Sequence, residues 1–134
     1  MGIRTRLEEA FDYEIVDEFL DHFETIINTM EPAIIALEKE QGNLDRIHEL
    51  FRMFHNIKSA STFLNIEQLC FLMEFVEDRL EPLRQNPHRL SERVIDWLLL
   101  ISDQLRLWYV QIQNDSELGK INPKILDVAE REEL

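Results

Sequence analysis

His55 and Lys58 stand three positions apart in the segment Arg52-Met53-Phe54-His55-Asn56-Ile57-Lys58-Ser59-Ala60-Ser61-Thr62. At about 100° per residue this spacing puts both on one face of a helix, one turn apart. Around the same helix Leu50, Met53, Ile57, Ala60, Ser61 and Leu64 fall together, flanked by Ile47 and Phe54, and form the side expected to face a core. His48, Arg52, His55, Lys58, Ser59 and Thr62 fall on the opposite side, so His55 is expected in the middle of an exposed polar stripe. A neutral imidazole, with a reference pKa of about 6.5, is a competent nucleophile near neutral pH. Arg46, Arg52 and Lys58 face only Glu49 between positions 46 and 58, a basic island able to receive an anion. Lys58 could place its ammonium near the oxygens of an anionic group added to the ring, a phosphoryl group included.

The run Ser59-Ala60-Ser61-Thr62 carries only small side chains, a weak choice for helix propensity but one that lets another surface approach closely. Phe51 and, more laterally, Phe63 are expected to project toward the exposed side and to form an apolar docking rim there. Periodicity by itself leaves open the plainer reading of a solvated helix face with an incidental histidine. A metal site is disfavoured, because none of His22, His48, His55 or His88 follows a glutamate by three residues as in di-iron bundles. Asp45-x-x-His48 is the nearest approach. No P-loop, glycine-rich nucleotide loop or Gly-x-Ser-x-Gly elbow occurs, so the chain is expected to lack an ATP site and enzymatic activity of its own.

The elements that must position this helix are helical too. From Tyr13 to Glu40 apolar residues recur every three or four positions, with Pro32 expected to kink or restart the helix. The eight carboxylates and absent Lys or Arg between Glu8 and Glu24 read as a solvated face. Gln41-Gly42-Asn43 ends that helix, Asn43 caps the one that carries His55, and Asn65 closes it in a left-handed turn. A third helix spans roughly Ile66 to Gln85, its last turn expected to fray at Pro82. A fourth, capped by Ser91, runs from Glu92 to about Gln113 with an apolar stripe broad enough for a central position. Asn122-Pro123 starts a short last helix in which Ile125, Leu126 and Val128 can pack, with Glu130 to Glu133 frayed. The expected fold is all-α: an antiparallel up-and-down bundle of four main helices plus a short C-terminal helix. Residues 1–12 read as a lead-in, 13–113 as the bundle, and 114–134 as an extension, either a short helix or the start of a linker.

The 134 residues suit one domain, and a net charge of −13 repels nucleic acid, so the partners are expected to be proteins. Cys70 reads as a small buried hydrophobe in an apolar run. No stretch approaches the ~20 apolar residues of a membrane span and the N-terminus lacks a leader pattern, so a soluble cytoplasmic protein without membrane contact is expected.

The stretch Leu50 to Asn65 resembles the signature helix of histidine-containing phosphotransfer (Hpt) domains, especially the N-terminal domain of chemotaxis histidine kinases, whose pattern is His-x-x-Lys-Gly followed by small residues. The resemblance makes His55 the phosphorylated histidine, Ile57 the buried aliphatic residue, Lys58 the lysine beside the phosphoryl group and Leu64 the apolar residue before the helix stop. It covers about residues 13 to 110. Two family glycines are replaced, one by Ser59, which narrows the space above His55 or hydrogen-bonds the phosphoryl group, and one by Asn65, a milder change. The resemblance also implies a glutamate on the next helix that accepts a hydrogen bond from the other ring nitrogen. Ungapped spacing gives Glu77 that place, with Glu74, one turn earlier, as the alternative. A histidine kinase catalytic domain or a receiver aspartyl phosphate would donate the group, and a response-regulator receiver aspartate would take it through contacts with Phe51, Arg52, Ser59, Thr62 and Phe63. No cofactor is implied for this chain, and Mg²⁺ would sit on the receiver or kinase. Because of Ser59 the competing reading is an Hpt-like module that docks receivers without accepting phosphate. Both a free-standing carrier and one domain of a larger kinase fit the sequence.

Overall fold

The computed structural model describes residues 2–131, with side chains as far as Asp127. Every regular element among them is helical: α1 Ile3–Ala10, α2 Tyr13–Lys39, α3 Leu44–Phe63, α4 Glu67–Gln85, a single 3-10 turn Pro87–Arg89, α5 Glu92–Gln113 and α6 Pro123–Arg131. The expected packing of Val128 lies outside the described side chains; of the end expected to fray, Glu130 and Arg131 are still helical, and Glu132 and Glu133 lie outside the described residues.

Helix ends follow the local chemistry of the sequence. Asn43 caps α3 by accepting from the amides of Asp45 and Arg46 at 3.0 and 3.3 Å. At the other end Asn65 adopts φ 56, its amide bonds the Thr62 carbonyl and the amide of Ile66 returns to Ser61. That pair of bonds is a Schellman stop, and the buried Ile66 supplies its apolar contact. Neither internal proline ends its helix. Pro32 is exposed, so water can reach the Asn28 carbonyl it leaves unpaired, and Arg106 of α5 braces this turn through the Ile27 carbonyl and the Asn28 side chain. Pro82 likewise sits inside α4, which continues to Gln85 because the amide of Asn86 closes a last turn on the Pro82 carbonyl.

Helix α2 packs between α3 and α5, and α3 makes its most extensive contact with α4. The seam between α4 and α5 is filled by large side chains and by the C-terminal segment. Phe75 meets Trp97 with ring centroids 6.5 Å apart, and the Trp97 indole donates to the Ile125 carbonyl at 2.8 Å. Trp108 donates to the Gly119 carbonyl at 2.8 Å, Gln68 of α4 to the same oxygen at 3.1 Å, and Gln104 accepts the Asn122 amide at 2.7 Å. These bonds explain the broad stripe of α5, which is covered by α1, α2 and α6.

Residues read as a lead-in are a helix, α1, that buries Ile3 and Leu7 against α2 and α5. Two apolar positions are too few to betray it in the sequence, and its anchors lie about a hundred residues away. Asp115 accepts from the Thr5 amide at 2.9 Å and from its hydroxyl, and Arg6 pairs with Glu117. Gly2 passes so close that a Cβ there would stand 1.7 Å from the Asp115 carbonyl oxygen.

The Thr5 hydroxyl and then its amide hold the Asp115 carboxyl below the usual carboxylate range. A depressed native pKa contributes stability above the unfolded value of about 3.9 and loses it as pH falls through the native value. Asp115→Asn keeps a residue that tolerates the local φ of 55 and removes the charge together with one of the two oxygens that accept from Thr5. The variant should melt below wild type at neutral pH, with the gap closing once the pH falls below the depressed pKa; a pH-independent gap in thermal melts would contradict this.

Candidate functional site

The site is built where α3 and α4 run antiparallel. Phe51 and Lys58, seven residues apart on α3, meet Arg84 and Glu77, seven residues apart in reverse on α4. The Arg84 guanidinium lies 4.9 Å from the centre of the Phe51 ring, and Lys58 Nζ donates to Glu77 Oε2 at 2.9 Å. Between these rungs stands His55, its side chain 63% exposed, with Nδ1 3.8 Å from Glu77 Oε1. That oxygen is buried and accepts no hydrogen bond from the described residues. Glu77 is 19% exposed and divides its two oxygens between the ammonium and the imidazole. At 3.8 Å the second contact is electrostatic and longer than a hydrogen bond.

The hydrogen bond from Lys58 to Glu77, and after it the Coulombic pull of Glu77 and Glu74, raises the Lys58 pKa against the opposing effect of burial. Glu74 is exposed and acts on Lys58 through space, so of the two carboxylates implied for His55 it is Glu77 that lies beside the ring.

A groove of about 320 Å³ opens next to the histidine, lined by His48, Phe51, Arg52, His55, Glu77 and Arg84, with Asn56 at its edge. Its position changes several expectations. Phe51 is only 9% exposed and forms the floor, because Arg84 of α4 covers a ring that the wheel of α3 alone placed toward solvent. Ser59 and Thr62 are exposed but do not line the groove, which lies toward the N-terminal half of α3. Thr62 turns its hydroxyl back to the Lys58 carbonyl at 2.9 Å, within 3.2 Å of Cys70 Sγ. Cys70 is itself partly exposed rather than buried. Phe63 is 63% exposed as expected, yet it leans away from His55, its ring centroid 5.6 Å from that of Phe11.

The basic island is smaller than its composition suggested. Arg46 is engaged by Glu40 at 2.6 Å and by Glu49 at 3.5 Å, and Lys58 by Glu77, leaving Arg52 as its member facing the groove. The sequence reading put His48 on the stripe with His55 but missed Arg84 and Asn56 as groove residues. Arg84 follows Glu77 by seven positions, two helical turns, and that spacing is the signal that could have found it. Among the described residues no cluster of three or more His, Cys, Asp or Glu side chains is arranged to hold a metal ion. No helix there is long and apolar enough to cross a membrane.

The family model of the Hpt domain matches residues 14–115. The chain is 29% identical over 112 residues to the sensor histidine kinase CheAY of Helicobacter pylori, covering 81% of this chain and 14% of that protein. It is 27% identical over 93 residues to the chemotaxis protein CheA of Borreliella burgdorferi, covering 69% and 11% of the two chains. With CheA of Treponema pallidum the identity is 26% over 98 residues, 73% of this chain and 12% of the other. The chain thus spans a small fraction, 11 to 14%, of the length of these relatives. No solved structure matches it significantly.

Replacing Glu77 by Gln keeps the shape and removes the charge that raises the Lys58 pKa. Titration of the Lys58 ammonium by NMR should therefore show a lower pKa in Glu77→Gln than in wild type. Equal values would mean that the pair does not persist in solution. Because a raised lysine pKa stabilises the fold below the unfolded value of about 10.4 and loses that contribution as pH rises through the native value, the pair is fully formed at neutral pH.

Proposed function

The chain belongs to the Hpt domain family, and on that premise we propose that it is a phosphoryl carrier of a two-component relay with His55 as acceptor and Nε2 as the reacting atom. The observation that carries this reading is the division of Glu77: with Nδ1 beside the buried Oε1, Nε2 is the ring nitrogen left to face a partner. The exposed imidazole need turn only slightly to convert the 3.8 Å contact into a hydrogen bond from Nδ1–H, and such contacts commonly tighten when the partner arrives. With the proton fixed on Nδ1, the Nε2 lone pair attacks the phosphorus of a kinase-bound ATP or a receiver aspartyl phosphate, and the bond to the leaving oxygen breaks. The carboxylate of Glu77 stabilises the positive charge that develops on the ring. In the forward step a receiver aspartate attacks the same phosphorus and Nε2 leaves with its lone pair.

Lys58 supplies the point charge for the phosphoryl oxygens, its stem held next to His55 by the same carboxylate. Arg52 on the groove wall adds a second cation in reach of an incoming acidic surface. Mg²⁺ belongs to the receiver or to the kinase, since Glu77, the only carboxylate lining the groove among the described residues, already holds an ammonium. Ser59, in place of the family glycine, is exposed one residue beyond Lys58, and it favours a second reading in which the bundle docks receivers without accepting phosphate.

Incubation with a ³²P-labelled phosphoreceiver should label wild type and leave His55→Gln unlabelled, with the label stable to base and lost in acid. Label on His55→Gln would contradict the assignment, and receiver binding without label on wild type would select the second reading. Lys58→Ala should fold and slow transfer by about tenfold or more; an unchanged rate would remove its electrostatic role.

A further inference from the structure

On the side of α3 away from Glu77 a second cleft runs between α2 and α3, about 340 Å³ in volume. Ile15, Phe19 and His22 of α2 form one wall, Ala60 and Phe63 of α3 the other, and Glu18 stands at its edge. Phe63 is the most exposed large apolar side chain in the described structure at 63%, and it is propped by Phe11. A buried floor beneath so exposed an aromatic is a costly surface for a lone bundle to present to water.

The electrostatic setting indicates what covers it. Glu18 of α2 lines the cleft and Glu14, one turn before it, is also exposed, and no Lys or Arg occurs between Glu8 and Glu24. Elsewhere in that acidic run Arg4 is ion-paired with Glu8 and Asp17, and Tyr109 donates a hydrogen bond to Glu24, so these carboxylates have partners on the α1 and α5 sides. A second copy of a chain with net charge −13, an anionic membrane and a nucleic acid would all be repelled. Two antiparallel helices with a furrow between them suit a third helix laid along it, its apolar residues at i, i+3, i+4 and i+7.

We propose that this cleft is a docking site for a basic amphipathic helix of a partner protein, separate from the groove at His55. Apolar side chains of that helix fill the space around Phe63, and its Lys and Arg residues meet Glu18 and Glu14. The two surfaces on opposite sides of α3 carry opposite charge, so a partner held at the cleft leaves His55 open.

The test uses isotope-labelled full chain titrated with a synthetic amphipathic helix of leucine and lysine at ~0.15 M ionic strength, where the Debye length is about 8 Å and diffuse attraction is suppressed. Shift changes should centre on Ile15, Phe19, His22, Ala60 and Phe63. Phe63→Ala and Glu18→Lys should each weaken binding by about tenfold or more, as expected of an anchor and its flanking charge. Glu38→Lys, the same charge change at the far end of α2, should leave it within about twofold. Equal affinity of all three variants, shifts centred on the His55 groove, or no binding would overturn the proposal. His55→Gln should bind the peptide as wild type does, so the outcome is independent of whether His55 carries a phosphoryl group.

Discussion

The site depends on one half-buried carboxylate. Glu77 is only 19% exposed, and Lys58 supplies a cation to its Oε2; Oε1 is left buried, without a donor, and next to His55. A buried acceptor without a partner costs about 1 to 3 kcal/mol, so the arrangement favours whichever state of the histidine brings an N–H toward it. A slip of one residue between α3 and α4 would separate Glu77 from both partners. The Asn43 cap and the Asn65 stop hold the ends of α3 in place, and Arg84 on Phe51 repeats the pairing two turns along.

The helices themselves were legible in the sequence because their signals are local. The Asn43 and Ser91 caps, the left-handed Asn65 and the three-to-four spacing of apolar residues need no knowledge of distant chain, and α3, α4 and α5 lie within a residue or so of the expected spans. The exposure of His55 belongs to the same class. Features that depend on a neighbouring element were not legible. The wheel of α3 put Phe51 toward water because it could not show Arg84 arriving from α4, and the charge count around His55 could not show that Glu40 and Glu77 reach in from neighbouring segments to take Arg46 and Lys58. Helix α1 escaped notice for the same reason, its anchors Asp115 and Glu117 being remote in sequence. The restart at Pro32 and the frayed turn at Pro82 were over-read, since a proline on an exposed or terminal turn loses a bond that water or a closing turn can replace.

The division of charge across α3 gives the chain two kinds of surface. On the α4 side Arg52, and Arg84 paired with Glu81, stand beside the histidine, a setting open to an anionic group or an acidic partner. On the α2 side the surface is acidic and partly apolar. A carrier must bind donor and acceptor in turn and release both, and a shallow groove with a few exposed cations serves that better than a deep apolar pocket, because exposed charges raise encounter rates more than they slow release.

The central claim is that Glu77 reserves Nδ1 and leaves Nε2 to react. It is tested most directly by treating ¹⁵N-histidine-labelled chain with phosphoramidate, a small phosphodonor that needs no kinase, and reading the ring nitrogens of His55 by two-bond ¹H–¹⁵N correlation. The account predicts a phosphoryl group on Nε2 with a protonated Nδ1. A phosphoryl group on Nδ1, or a His55 ring left unmodified while other histidines react, would contradict it.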